Sequence, residues 1–437
     1  MKVIIVGAGL GGLACAIACR REGLEVVVLE RASRIVPIGS GIHVPPNAAR
    51  VARQLGYLDK LHRRGGVGVE RIEMRRYADG RPLHALPAEH GDLPWLVVHR
   101  AEYHGVLWET CAELGVGLCL DMEAEQIDFE TNTVYLEDGD DISGDVIIGA
   151  DGLYSVCRDQ LLGSPSPAVE TGDLAYRATL PLDYLKALGD PCVDELCARK
   201  QVTVWLGPSR HTTFCPVRGG REFNLTLLKQ DHAEGHADGD VGEMRQAFEG
   251  WDEMLTKLIC RVPRVQKWKP WTHPELETWT KVKTIHPLSR LSPATAATHD
   301  SQGQMALLGD SCHPSPAYHS QGAAMAVEDG AVLGKLLGLL ERCPKSGSPE
   351  SVAQVLRLYE SLRKSRTAVN AAGAASNKKW YHVADGPEQE ARDAEMAGAK
   401  LTTGWRWLDQ KYREELVGHD AVAEAVEAFR TWQQDEK

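Results

Sequence analysis

The sequence predicts an α/β protein: a parallel-sheet unit founded on an N-terminal βαβ motif, interleaved with a mostly antiparallel sheet and followed by a helical C-terminal region. Three observations predict it. Glycines punctuate a strand–helix–strand pattern at the start of the chain. Several strand-like runs separated by Gly and Pro turns lie between Ala175 and Leu228. Beyond Glu341 the chain is polar and helix-forming, with no further strand pattern.

The elements follow in order. Lys2 to Val6 reads as a buried strand, Gly7 to Gly12 as a turn, Leu13 to Glu22 as a helix of small residues, and Val26 to Glu30 as a second strand. A short strand, Val97 to Arg100, precedes a helix from Ala101 to Leu114. Strands are expected at Gln126 to Phe129, Thr133 to Leu136 and Asp145 to Ile148, the last leading into Gly149-Ala150-Asp151-Gly152. The antiparallel sheet takes Gln201 to Leu206, His211 to Cys215 and Glu222 to Leu228, turning at Gly207-Pro208 and Gly219-Gly220. The polar, His-rich stretch Gln230 to Asp240 reads as a surface loop. Met305 to Leu308 returns to a buried strand, Gly322 to Leu340 is a long helix, and Glu341 to Glu350 is a linker with two prolines and two serines.

Composition limits the function classes. With 437 residues the chain suits linked units better than one small core. Its 61 acidic and 49 basic residues give a net charge of −12, against the basic excess of a nucleic-acid binder. No run approaches the ~20 apolar residues of a membrane span; Ala331 to Leu340 is short and broken by Lys335. Val3 to Val6 runs straight into glycines, unlike a secretory leader. The 11 cysteines show no metal-like pairing, and Cys15 and Cys19, one helical turn apart, read as packing. A reduced, cytoplasmic setting is expected.

Gly7-Ala8-Gly9-Leu10-Gly11-Gly12 is the dinucleotide fingerprint in its proper strand–turn–helix setting. Gly7 permits the tight turn, Gly9 lets the backbone approach a pyrophosphate, and Gly12 packs the helix on the strand. The pyrophosphate is expected at the helix N-terminus, where free N–H groups and the dipole favour negative charge. Glu30 closes the second strand, where a carboxylate accepts hydrogen bonds from a ribose diol. A carboxylate there disfavours a 2′-phosphate, so FAD or NAD is expected rather than NADP.

Three further segments resolve that choice. They are Gly39-Ser40-Gly41-Ile42-His43-Val44-Pro45-Pro46-Asn47, Val146-Ile147-Ile148-Gly149-Ala150-Asp151-Gly152 with Ser155 and Arg158, and Met305-Ala306-Leu307-Leu308-Gly309-Asp310 with His313-Pro314 and Gln321 to Gly330. With the fingerprint, and in this order, they make nearly the whole chain resemble the class A (single-component) FAD-dependent aromatic hydroxylases, in the salicylate-hydroxylase-like branch. The resemblance implies a para-hydroxybenzoate-hydroxylase-like fold. Its FAD-binding domain would be discontinuous (1–72, 97–172 and 280–340), its substrate-binding β-sheet domain would take 73–96 and 173–279, and 341–437 would be the helical region. It implies that Gly7, Gly9, Gly12, Glu30, Arg31, Gly41 and Arg100 bind FAD, with Arg100 lying along it. It also implies that Asp151 and Gly152 touch the pyrophosphate and nicotinamide cofactor, that Asp310 binds the ribitol, and that Gly322 and Ala323 open a helix aimed at the isoalloxazine. A helix N-terminus there offers N–H donors to an anionic reduced ring.

The resemblance further implies the reaction. NADH or NADPH reduces the flavin, O2 adds to form the C4a-hydroperoxide, and its distal oxygen passes to an electron-rich aromatic ring, with a phenol as the suitable substrate. Arg177, in Ala175-Tyr176-Arg177-Ala178, matches a site arginine able to pair with a substrate carboxylate, phenolate or ring carbonyl. His211, opening the strand to Pro216, is a candidate base or hydrogen-bond partner, while His313 is expected to shape its loop. Two departures stand out. Cys215 precedes Pro216 where many relatives carry tyrosine, and the loop reads His313-Pro314-Ser315-Pro316-Ala317, with Tyr318 and His319 following. Both lie where the resemblance places the substrate ring. They keep open dearomatising hydroxylation or epoxidation of a polyketide or indole, and an FAD reductase without oxygen insertion uses the same fold. Trp405 and Trp407 are expected to pack a helix or form a homodimer contact.

Overall fold

A computed structural model describes residues 1–36, 39–231, 240–282, 303–343, 348–398 and 409–435. Most of the expected loop at Gln230 to Asp240, part of the expected linker, and Trp405 and Trp407 lie outside the described residues.

The first sheet has six strands, ordered Thr280–Val282, Gln304–Leu307, Val146–Gly149, Lys2–Val6, Glu25–Glu30 and Gly117–Leu120. All neighbours are parallel except the first pair. These strands are continuous β-branched and aliphatic runs because helices cover the sheet. Val3, Ile4, Ile5, Val146, Ile147 and Ile148 are fully buried. The expected strands and helices fall within a few residues of their predicted bounds. The first helix starts earlier, at Leu10, because Gly9 serves as its N-cap.

The helix Leu10–Arg21 packs against the long helix Gly322–Glu341 through small residues. A Cβ on Gly330, Gly334 or Gly338 would lie 2.6, 2.4 or 2.3 Å from Cys15, Ala18 or Glu22 respectively. Spaced every fourth residue, these glycines form one stripe, so the two backbones approach closely. The pairing aligns the helices so that both N-termini reach the same end of the sheet. Cys15 and Cys19 lie buried in this contact with their sulfurs 4.0 Å apart, a packing role as expected.

The second sheet has seven strands, ordered Gln266–Trp268, Asp173–Pro181, Glu222–Gln230, Arg210–Val217, Gln201–Gly207, Arg71–Arg76 and Pro82–Pro87. It is antiparallel apart from Gln201–Gly207 against Arg71–Arg76. Alternation sorts its side chains. Leu174, Tyr176, Phe214, Leu225 and Leu227 enter a core with Leu196, Met244 and Leu255 from the covering helices. The intervening residues face the other way.

The 33-residue helix Pro349–Tyr381 runs across both sheets. Its buried stripe is Tyr359, Arg363, Thr367, Asn370, Asn377 and Tyr381, mostly polar at helical spacing. Arg363 bonds Asp329 (2.7 Å) and Glu328 (2.8 Å), both fully buried, and Arg366 grips Glu328 through two 2.8 Å bonds. Asn47 donates to the same Glu328 (2.7 Å) and to Gln321 (3.0 Å). Asp329 also accepts from the Gly309 N–H at 3.0 Å and contacts His313 Nε2 at 2.5 Å, so His313 does organise its loop.

Removing one partner from a buried ion cluster strands the other charges, at about 3–5 kcal/mol. Arg363→Leu should therefore lower unfolding free energy by about that much, read from urea midpoints. The pH dependence has a definite sign. Burial works to raise the Glu328 pKa, but Arg366 and Arg363 outweigh it and bring it to about 2. Its stabilisation is thus complete above the unfolded value of about 4.3 and lost as pH falls towards 2. Glu328→Gln should flatten that acid limb; an unaltered limb would remove Glu328 from it.

Candidate flavin and substrate site

The glycine turn is held from three directions. Gly7 N–H donates to Leu29 O (2.7 Å), Ala8 N–H to Glu30 Oε2 (2.9 Å), and His104 Nε2 lies 2.8 Å from Ala8 O. Ala32 N–H occupies the other Glu30 oxygen at 2.9 Å. This fixes the carboxylate beside the turn with lone pairs to spare for a diol. Gly7 (φ +105°) and Gly12 are required by the protein itself, since added Cβ atoms would sit 2.4 Å from Ala150 O and 2.1 Å from Gly7 O. Gly9 is different. Its Cβ would meet nothing nearer than 3.9 Å, so protein packing leaves the space above it clear. The helix it opens has no side-chain cap and no acid in its first turn, which leaves its N–H groups available to an anion.

The second helix N-terminus, at Gln321, Gly322 and Ala323, likewise has no side-chain cap and no first-turn acid. Both termini border one cleft of about 430 Å³. Asp310 opens into it without a hydrogen-bond partner among the described residues. Although that side chain faces open space, the enclosing protein raises its pKa by desolvation, against the pull of His313 and Arg100.

The far wall is the second sheet, presented as two rungs. Ala175, Leu228 and His211 stand side by side, and so do Arg177, Thr226 and Thr213. All six line the cleft. The next rung, with Asn224 and Cys215, anchors the opposite wall: Asn224 Oδ1 accepts from Gly41 N–H at 3.1 Å. Cys215 is buried, its thiol pushed up to about 12 by desolvation, and does not border the cleft.

Arg177 is half-buried with its guanidinium 4.4 Å from the centroid of Trp268. Desolvation and then Arg100 lower its pKa, and it has no carboxylate partner among the described residues. A partly desolvated cation without a counter-ion favours an incoming anion. His211 is buried with Nδ1 2.9 Å from His382 Nε2, and burial pushes its pKa to about 3. It is therefore neutral near pH 7.

The remaining expected residues separate. Gly41, Arg100, Gly152, Gly322 and Ala323 line the cleft. Arg31 is exposed outside it. The Asp151 carboxylate accepts from Ser155 (2.6 Å) and Cys157 N–H (3.0 Å), holding the start of the following helix, while its neighbours Ala150 and Gly152 reach the cleft. Tyr318 and His319, expected near the substrate ring, do not line the cleft themselves: both pack towards the long C-terminal helix, and Tyr318 also lies against the His211 ring at 5.4 Å. Asn377 donates to Tyr318 O (3.1 Å), and His319 Nδ1 lies 3.1 Å from Asn370 Oδ1. Sequence reasoning missed His43. Its Nδ1 accepts from Trp95 Nε1–H at 3.0 Å, which places its proton on Nε2, and its ring lines the cleft. Its only sequence signal was membership of the Gly39–Asn47 segment.

Clear space above Gly9, two open helix N-termini, a free Asp310 and the held Glu30 suit a flavin dinucleotide. The FAD binding domain profile matches residues 1–273. The chain belongs to the FAD-dependent monooxygenase family. The FAD-dependent monooxygenase OpS4 of Beauveria bassiana (strain ARSEF 2860) is 34% identical, covering 98% of this chain and 97% of that protein. The 3-amino-4-hydroxybenzoate 2-monooxygenase of Streptomyces cremeus is 32% identical, covering 93% and 94%. The fold matches a salicylate hydroxylase substrate complex with a TM-score of 0.77 at 20% identity, over 98% of both chains. Like other members of this flavoprotein family, the chain combines a Rossmann-like parallel sheet with antiparallel sheets and a helical C-terminal region. No described helix is long and apolar enough to cross a membrane.

The glycines give a paired test. Gly9→Ala should weaken FAD binding at least tenfold in a flavin titration while costing the apoprotein no more than about 1 kcal/mol, the scale of an N-cap change. Gly12→Ala should instead destabilise the apoprotein by about 1–3 kcal/mol through overpacking. Equal flavin affinity in wild type and Gly9→Ala would remove Gly9 from the pyrophosphate site.

Proposed function

We propose that this chain hydroxylates an aromatic small molecule bearing a phenol, using NADH or NADPH, O2 and bound FAD. The observation that carries the reading is the cleft itself. Two open helix N-termini on one wall face, on the other, a neutral His211 and an Arg177 without a carboxylate partner among the described residues. Bound FAD supplies hydride acceptance and oxygen activation, which side chains do not provide.

On this reading the chain's residues divide the remaining work. Gly9 to Gly12, Glu30 and Arg100 hold the adenine-dinucleotide part. Asp310 accepts from the ribitol hydroxyls, and Gly322 and Ala323 direct N–H groups at the flavin ring. Arg177 pairs with a substrate oxyanion, and His211 hydrogen-bonds the phenol oxygen. Ala175 and Leu228 supply apolar surface for the ring, and the wall of Pro316 and Ala317 helps exclude water. The relative named for 3-amino-4-hydroxybenzoate supports a phenol that also carries a carboxylate. We assign 1–72, 97–172 and 280–340 to the flavin unit and 73–96 with 173–279 to the substrate unit, with 341–437 as the helical region.

The test is NAD(P)H oxidation and O2 uptake by the FAD-loaded protein with 3-amino-4-hydroxybenzoate, 3-hydroxybenzoate, salicylate and indole, with products followed by mass. A substrate-stimulated rate with gain of one oxygen is expected; reduction of a compound without O2 uptake would establish the reductase reading instead. Arg177→Ala should lower kcat/KM on the accepted substrate by about 100-fold, from the ~1.5–3 kcal/mol of a charge-assisted hydrogen bond, with FAD still bound. Asp310→Ala should weaken FAD retention. Full occupancy in that variant, or wild-type kinetics for Arg177→Ala, would refute the respective role.

A further inference from the structure

The residue that decides what His211 does lies on the C-terminal helical region. His382 follows the helix Pro349–Tyr381 and is itself buried. It is held on both sides: its N–H donates to Lys378 O at 3.2 Å, and its carbonyl accepts from Ser209 N–H at 3.1 Å. Its ring meets Tyr318 edge-on at 5.6 Å, and its Nε2 lies 2.9 Å from His211 Nδ1. Burial lowers the pKa of both rings, to about 2 for His382 and about 3 for His211, so both are neutral. One proton then occupies the contact, and two arrangements exist.

The other nitrogen of His382 distinguishes them. Nδ1 is buried with no hydrogen-bond partner among the described residues. If His382 accepted from His211, its own proton would sit on Nδ1 as an orphaned buried donor. If His382 donates, Nδ1 is a bare lone pair. Orphaned buried N–H groups are the rarer and costlier defect. Lys378 and Arg210 add positive potential at this ring, which favours a lone pair over a second N–H dipole. The groups packed against the His211 ring are Tyr318 and Tyr381, at 5.4 and 5.1 Å. Both are neutral phenols, raised by burial. Asp173, the carboxylate beside Tyr318, is paired with Lys378 at 2.9 Å.

We propose that His382 is a positioning residue: it donates Nε2–H to His211 Nδ1 and so fixes His211 as the tautomer that presents an N–H donor to the cleft. The inference rests on the assignment of a phenolic substrate only for its functional meaning. His211 then acts as a donor to a phenolate oxygen rather than as a base towards a phenol. It works beside the Arg177 cation one rung away.

The tautomer is read directly from two-bond 1H–15N correlations of FAD-loaded, 15N-histidine-labelled protein, with His211 assigned by its loss in His211→Gln. A protonated Nε2 and bare Nδ1 on His211 are expected in wild type. They should give way to a mixture or to the reverse form in His382→Phe, and be restored in His382→Gln, whose amide still donates. A wild-type His211 protonated on Nδ1 would overturn the proposal, as would an unchanged single tautomer in His382→Phe. With 3-amino-4-hydroxybenzoate as probe, His382→Phe should lower coupled kcat/KM at least tenfold, His382→Gln less, and neither should alter FAD affinity. The spectra need no substrate. Failure of the wild type to oxygenate any phenol would therefore count against the proposed reaction, while the tautomer would stand or fall on its own signals.

Discussion

The fold depends on two adjacent buried carboxylates. Glu328 and Asp329 sit in the middle of a helix that otherwise buries aliphatic residues, and their charges are tolerable only because Arg363 and Arg366 reach them from the next helix. Each carboxylate then uses its remaining lone pairs elsewhere. Glu328 holds Asn47, which in turn holds Gln321 at the helix start. Asp329 holds the Gly309 N–H and His313, and with them the turn that presents Asp310. Asn47, the helix start at Gln321, the turn from Gly309 to His313 and the helix Pro349–Tyr381 are thereby fixed around one charged centre.

The sheet contributes through register. Because side chains alternate, a single antiparallel pairing sets His211, Leu228 and Ala175 abreast, with Thr213, Thr226 and Arg177 beside them. The same alternation sends the intervening aromatic and aliphatic residues into a separate core. The resulting field contrasts with the molecule's overall −12 charge. Two helix N-termini, Arg100 and Arg177 make the cleft locally electropositive, with Asp310 the acidic group on its wall. Low-dielectric walls concentrate such a field, which suits an anionic dinucleotide and an anionic aromatic.

What could be read from sequence was what acts locally. Gly7, Gly9 and Gly12 declare themselves because their demands are steric and lie within a few residues of chain. Alternation along His211–Pro216 and Glu222–Leu228 shows a sheet. The helix Pro349–Tyr381 was legible as a helix but not as a clamp, because its buried stripe of Arg363, Thr367, Asn370 and Asn377 is polar and leaves no hydrophobic period. His43 and His382 were illegible for a related reason. Each matters through one partner, Trp95 or His211, brought near only by tertiary packing. Nothing in its loop announces that Tyr318 packs between His211 and the clamp, where Asn377 donates to its carbonyl.

The glycine stripe on the helix Gly322–Glu341 has a consequence for how such an enzyme can change. At Gly330, Gly334 and Gly338 the neighbouring helix occupies the volume any side chain would need. Those positions are closed to substitution unless the two helices move apart, and moving them would separate the two N-termini that border the cleft. The rungs carrying Thr213, Thr226 and Leu228 face open space and carry no such restraint. Selection or a designer can therefore rewrite the sheet wall of the cleft while the helix wall stays as it is. That asymmetry gives one scaffold a route to many aromatic substrates by exchanging a few side chains on a single sheet face.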